Sequence, residues 1–239
     1  MNFIKNTERL VKFQMYKKIG VVVADDGDFN PFIEKLENAD NVGFFGRDCY
    51  KFAVNDVVVY AVHCGIGKVN SAAAAMYMYS LGCDTIFSFG YSGGISRVKK
   101  GEVVINDSFI EHDFDLTCLG YKLCEKPGQT YIYNADAKLV ELVSSICPEA
   151  KIGLAVSGDC FVSNDELRDS LKTNFNAISC DMETAAIASV CHQTGMSFVA
   201  IRQISDDAGN DADSSYSEVA YSGDIAPADI ILELINKLA

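Results

Sequence analysis

The chain has 239 residues, 49% of them hydrophobic and 22% charged, which suits one large α/β domain, leaves little for two, and excludes disorder as the main state. A net charge of −13 repels a nucleic-acid backbone or an anionic lipid surface everywhere but at the N-terminal end. No run of about 18 apolar residues is present, which excludes a membrane-spanning helix.

Residues 1–17 read as an extension ahead of a single domain over 18–239. Lys5, Arg9, Lys12, Lys17 and Lys18 make this end basic, and a docking helix is the competing reading. It lacks the apolar stretch and cleavage site of a secretory signal. Ile19–Ala24 is a continuous apolar run, the mark of a strand buried on both faces. A helix is predicted over Phe29–Leu36, with Asp28 as N-cap and Pro31 in its first turn. Val57–Val62 is the next strand, and it leads through Gly65 and Gly67 into an Ala-rich helix ending near Gly82.

Thr85–Phe89 is a third buried strand, predicted to close in a loop over Gly90–Gly94. Glu102–Ile105 continues the β series. Helical spacing runs over Ala135–Cys147 and stops at Pro148. Ile152–Val156 is a strand, and Asn164 caps a helix over Asp165–Lys172. Met182–Thr194 is a helix stopped by Gly195, Ser197–Gln203 a strand, and Ile225–Leu238 the closing helix. This alternation implies a mostly parallel sheet covered on both faces, with ligands gathering at the carboxyl ends of its strands.

The chemistry at those ends is acidic. Asp25, Asp26 and Asp28 follow the first strand, and one of them can serve as a general base. Asp181 and Glu183 open a helix, where the ordinary role is to complement the helix dipole. Asp206 follows a buried strand; lost hydration and the neighbouring Asp207 push its carboxyl towards the protonated form that a general acid needs. Gly65-x-Gly67 is neither a dinucleotide fingerprint nor a Walker loop. It is either a tight turn or a close backbone approach to a small ligand. No serine-hydrolase elbow is present, and His63 beside Cys64 makes a poor dyad because strand neighbours point to opposite faces. Nine irregularly spaced cysteines without a C-x-x-C pair, and three scattered histidines, read as buried thiols in a reducing, cytoplasmic setting rather than as a metal site.

Taken together, Ile19-Gly-Val-Val-Val-Ala24, Gly65-Ile-Gly-Lys-Val69, Gly90-Tyr-Ser-Gly-Gly94, His112-Asp-Phe-Asp-Leu-Thr117, Ser157-Gly-Asp-Cys-Phe161, Asp181-Met-Glu-Thr-Ala-Ala-Ile-Ala188 and Arg202-Gln-Ile-Ser-Asp206 resemble the purine nucleoside phosphorylase/uridine phosphorylase superfamily. Within it the resemblance is to the 5′-methylthioadenosine/S-adenosylhomocysteine nucleosidases. It implies a three-layer αβα fold around a mixed, partly barrel-like sheet, usually as a homodimer. It implies hydrolysis of the N-glycosidic bond of 5′-substituted adenosines without metal or organic cofactor. By position in these motifs, Asp206 is the acid that protonates the leaving adenine at N7, and Glu183 binds the ribose hydroxyls. Phe161 stacks on adenine, the Val162 backbone reads the purine edge, and Met182 packs under the ribose. Ile66, Tyr216 and Met182 line the 5′-alkylthio pocket, Arg202 lies near the attacking water, and Ser205 precedes the acid. Leu119 and Pro127 match positions that a second subunit contributes.

Two residues depart from the family pattern. Asp28 stands where the family has a Glu base, and Tyr91 where it has a Ser, although Ser92 follows at once. Asp28 therefore has two competing readings, water-activating base and helix cap, with Asp26 the next candidate for the base. The rival activities are phosphorolysis, which needs arginines to hold a dianion, and nucleoside binding without catalysis, which has no use for Asp206.

Overall fold

The computed structural model describes residues 16–220 and 226–239. The docking helix and most of the 1–17 extension lie outside the described residues, as does the predicted start of the last helix at Ile225.

Ten strands among these residues form one mixed sheet: β1 (Lys18–Val23), β2 (Asp40–Asn41), β3 (Cys49–Val54), β4 (Val57–His63), β5 (Thr85–Gly94), β6 (Val103–Glu111), β7 (Ile132–Asn134), β8 (Lys151–Ser157), β9 (Ser179–Asp181) and β10 (Ser197–Asp206). The order is β10-β6-β8-β9-β5-β1-β4-β3-β2, and β10 also pairs with β5. Strands β5, β9, β8, β6 and β10 therefore close into a ring, while β1, β4, β3 and β2 extend from it as an open sheet. The sheet departs from the mostly parallel expectation: β9 on β5, β6 on β10, and β3 on both β2 and β4 are antiparallel.

Helices cover both faces. Helices α1 (Asp26–Glu34), α3 (Ala137–Ile146) and α7 (Ala226–Leu238) pack on one side. On the other lie α2 (Lys68–Ser80) and α5 (Thr184–Thr194), packed against each other. Two further helices, α4 (Asp165–Phe175) and α6 (Ala212–Ala220), complete the chain. The alternation of β1 explains its unbroken apolar run. Ile19, Val21 and Val23 enter the core under Phe29, Phe32 and Ile231, while Val22 enters the opposite core beside Ala74 and Met78. Each such buried side chain contributes about 1.5–3 kcal/mol.

Several boundaries shift for physical reasons. Helix α1 begins at Asp26, and Asp25 is its cap, its carboxylate accepting from Gly27 N–H at 2.8 Å. Asp28 is thus freed from the capping role the sequence suggested. The predicted loop over 90–94 is strand, because β5 runs on to pair with β10 and β9. Its glycines are needed there: a Cβ on Gly90, at φ +150°, would lie 2.5 Å from Asp28 Oδ2, and one on Gly93 would lie 2.9 Å from Cys180 Sγ. Strand β10 likewise continues through Asp206. Helix α4 matches its expected start, with Asn164 Oδ1 accepting from Leu167 N–H at 2.8 Å. All nine cysteines are free thiols. No helix among the described residues is long and apolar enough to cross a membrane.

Candidate active site

One cleft opens where β1, β5, β8, β9 and β10 end, with a volume near 760 Å³ including its mouth. The carboxyls of Asp28, Glu183 and Asp206 all line it. Each reaches the cleft by a different local device.

Asp206 is aimed by an irregularity in β10. Ile204 pairs with Ser92 and Asp206 with Gly93, so Ser205 is an extra residue, and such a bulge re-aims the side chain that follows it. Asp206 Oδ2 accepts from Ser205 Oγ at 2.7 Å and Oδ1 from Ala208 N–H at 2.8 Å. Burial raises its pKa, and the charge of Asp207 adds to the rise; the Ser205 and Ala208 bonds oppose it.

Glu183 occupies the N-cap position of α5 without capping it. Asp181 does that work, its Oδ1 accepting from the N–H groups of Glu183 and Thr184 at 3.1 Å each and from Ser157 Oγ at 2.6 Å. The Glu183 carboxylate turns instead to Gly67 N–H at 2.9 Å and Met182 N–H at 3.2 Å. Burial, with Asp181 close by, raises its pKa to about 7.

Asp28 lies in the first turn of α1 and is buried. Desolvation, reinforced by the charge of Asp25, raises its pKa to about 7, against the opposing effects of Arg202 and the Tyr91 N–H. Its Oδ1 has no hydrogen-bond partner in the protein. Asp26, the alternative base, points elsewhere: its side chain is 75% exposed and pairs with His63 Nδ1 at 3.3 Å.

Phe161, Tyr91 and Tyr216 form an aromatic wall. Tyr216 meets Phe161 edge-on at 5.8 Å and Tyr91 at 6.4 Å between ring centroids. Ile66, Ser92, Val162, Met182 and Ser205 also line the cleft, so most of the expected residues are brought together. Arg202 is not among them. It is buried outside the cleft lining, with Nε 3.3 Å from Asp181 Oδ2 and Nη2 donating to Ser88 Oγ at 3.0 Å. Leu119 and Pro127 are exposed and do not line this chain's cleft. Among the described residues no group of three His, Cys, Asp or Glu side chains is arranged to hold a metal ion.

The sequence profile of the phosphorylase superfamily matches residues 18–236. A 5′-methylthioadenosine/S-adenosylhomocysteine nucleosidase from Halalkalibacterium halodurans is 32% identical over 228 residues, covering 92% of this chain and 99% of that protein. Its counterpart from Staphylococcus carnosus is 30% identical over 227 residues, 92% of this chain and all of that protein. The chain belongs to the nucleosidase family of the phosphorylase superfamily.

The fold agrees. The Neisseria meningitidis nucleosidase in complex with methylthio-immucillin-A superposes with a TM-score of 0.86 at 30% identity, covering 92% of this chain and 99% of that one. Within this nucleosidase framework the structure adds cleft residues that sequence reasoning missed. Cys160 and Cys180 lie on the wall with no local pattern to announce them. Asp25 and Asp181 were visible as acids, but that they make the local cap bonds, leaving Asp28 and Glu183 free, shows only in the folded geometry.

Proposed function

We propose that this chain's Asp28, Glu183 and Asp206 carry out hydrolysis of the N-glycosidic bond in 5′-methylthioadenosine, S-adenosylhomocysteine and related 5′-substituted adenosines, releasing adenine. The observation that carries this reading is the convergence of three desolvated carboxyls on one cleft that no Lys, Arg or His side chain lines among the described residues. A phosphate dianion there would meet Asp25, Asp28 and Glu183 with no cation to hold it, because Arg202 is committed to Asp181. Water, being neutral, meets no such repulsion.

In the proposed reaction Asp206 donates its proton to N7 of the base. The bond between C1′ and N9 breaks, and its electron pair leaves with adenine, which departs neutral. Positive charge develops on the ribose ring, and the Glu183 carboxylate stabilises it while accepting from the sugar hydroxyls. Water attacks C1′, and its proton passes to Asp28. No metal or organic cofactor enters these steps. Phe161 stacks on the adenine, the Val162 backbone reads its edge, and Met182 packs under the ribose. Ile66 and Tyr216 line the 5′ end. Tyr91 contributes through its backbone N–H to Asp28, Ser92 fixes the strand end by donating to Cys180 O at 2.7 Å, and Ser205 orients the acid. Arg202 acts from outside the cleft lining, as the buried cation that favours ionised Asp28 and Glu183.

A second copy of the chain would supply Leu119 and Pro127 to the 5′ pocket, which accounts for a 68% exposed leucine on a short 3₁₀ turn. Nine free thiols support a reducing, cytoplasmic location.

An adenine-release assay on 5′-methylthioadenosine, run with and without phosphate, tests the reading. Release at the same rate in both is expected, with free 5-methylthioribose as the sugar product. Phosphate dependence with a ribose 1-phosphate product would establish a phosphorylase; binding without release would establish a nucleoside-binding protein.

A further inference from the structure

Lys68 opens α2 directly after Gly67, whose N–H holds Glu183 Oε1. It does not line the cleft, and its side chain is only 17% exposed. Its ammonium lies 2.6 Å from Asp113 Oδ1 and 3.1 Å from Glu111 Oε2. The other oxygen of Asp113 accepts from Asp159 N–H at 2.9 Å. Asp159 Oδ1 in turn accepts from Lys68 N–H at 2.8 Å. These contacts close a ring: the Lys68 side chain to Asp113, Asp113 to the Asp159 backbone, and the Asp159 side chain to the Lys68 backbone.

The ring joins three segments distant in sequence. One is the loop that carries Ile66 and Gly67. Another is the loop in which Asp159 stands two residues before Phe161. The third follows β6 and is anchored a second time where Lys126, the residue before Pro127, pairs with Glu111. Gly67 and Asp159 are packed so closely that a Cβ on Gly67 would lie 3.2 Å from Asp159 Oδ1. An isolated exposed ion pair contributes little, but linked, partly buried charge-assisted bonds reinforce one another. Burial alone would lower the Lys68 pKa, yet its bonds to Asp113 and Glu111 carry it above its ordinary value. Burial would raise that of Asp113, yet Lys68 and the Asp159 N–H hold it below the usual carboxylate range. Lys68 and Asp113 therefore stay charged through neutral pH.

We propose that Lys68 is a positioning residue for the cleavage: its ring with Asp113 and Asp159 fixes the gap between the wall at residues 66–67 and the wall at residues 160–162. That gap determines where Glu183, held by Gly67, meets the sugar relative to the ring of Phe161 that stacks on the base. The inference rests on the functional reading above, and turnover of 5′-methylthioadenosine by the wild-type protein is the control that separates the two. Absence of adenine release from wild type would sink the functional reading; with release present, the variants report on Lys68 alone.

Asp159→Ala is the safest first variant, because Asp159 is exposed and its removal leaves no buried group unpaired. The expected result is a KM raised about tenfold with an unchanged melting temperature, since small misplacements of binding groups cost catalysis far more than stability. Lys68→Met should raise KM at least as much. The double variant should be no worse than Lys68→Met alone, because both changes cut the same ring. Lys68→Arg, which keeps the charge, should recover part of the loss. A folded Asp159→Ala with KM within twofold of wild type overturns the proposal, as does a double variant whose effects simply multiply. Should Lys68→Met fail to fold, Asp159→Ala decides the matter by the same KM criterion.

Discussion

In the proposed reaction Asp206 and Asp28 divide the proton work, and each can be tested in isolation. Asp206→Asn keeps the shape of the side chain and removes the proton donor. Turnover should fall on the order of 10²–10⁴-fold while substrate binding persists; steady-state kinetics with a parallel binding titration checks both. Asp28→Asn should depress turnover comparably, and its stability effect has a defined sign. The Asp28 carboxyl has a folded pKa of about 7 against an ordinary value of 3.8. The folded state therefore holds this proton more tightly than the unfolded chain, and ionising Asp28 weakens the fold increasingly between about pH 4 and 7. Asparagine carries no such cost. Thermal melts should show Asp28→Asn gaining on wild type as pH rises through that window and levelling off above it. In wild type, kcat/KM should rise as pH passes through about 7, where Asp28 becomes available as base. The place of Asp206 in the cleft was legible in sequence, as an acid after a buried strand, while its proposed role rests on the family resemblance. The triplet of Asp25, Asp26 and Asp28 could not be resolved, because all three suit a helix start and only the folded contacts distribute the work.

The elements that carry these residues were legible where apolar periodicity was strong and obscure where function interrupts it. Strand β5 was cut short in the sequence reading because Gly90, Gly93 and Gly94 look like a loop. They are strand because β10 and β9 pair with them, and they are glycine because Asp28, Cys180 and Asp206 crowd against that backbone. Gly90→Ala should consequently displace Asp28 and force a strained φ. The expected outcome is a loss of activity with a destabilisation of roughly 1–3 kcal/mol, read by turnover and denaturant melts. The hairpin of β3 and β4 left a fainter trace. Val54 pairs with Val57 across Asn55 and Asp56, a two-residue turn with Asn55 at φ +50°. Strand β9 left none, since three residues pair with partners far along the chain on either side.

At the scale of the whole molecule, the alternation of strands and helices identified the layers but not the closure of the ring. That closure depends on β10 pairing with β5, two segments about a hundred residues apart whose local patterns carry no information about each other. The proposed pairing of two copies also belongs to this scale. Leu119→Asp places a charge on a surface that would be buried between copies, so sedimentation should report a shift towards monomer and kinetics a raised KM for 5′-methylthioadenosine.

Ring closure also bears on how the protein behaves when crowded. A strand with unpaired backbone groups is a template on which another chain can grow. Here each of five strands has a ring neighbour on both sides, and β5 and β6 carry β1 and β7 as well. At the open end of the sheet stands β2, two exposed residues, Asp40 and Asn41, paired with Lys51 and Tyr50 near the start of β3, which three residues after Lys51 turns into a hairpin. Strand β7, which pairs only with β6, is three residues long. Among the described residues the ring thus leaves a second chain only short edges to extend, and growth on its five strands would require the ring to open.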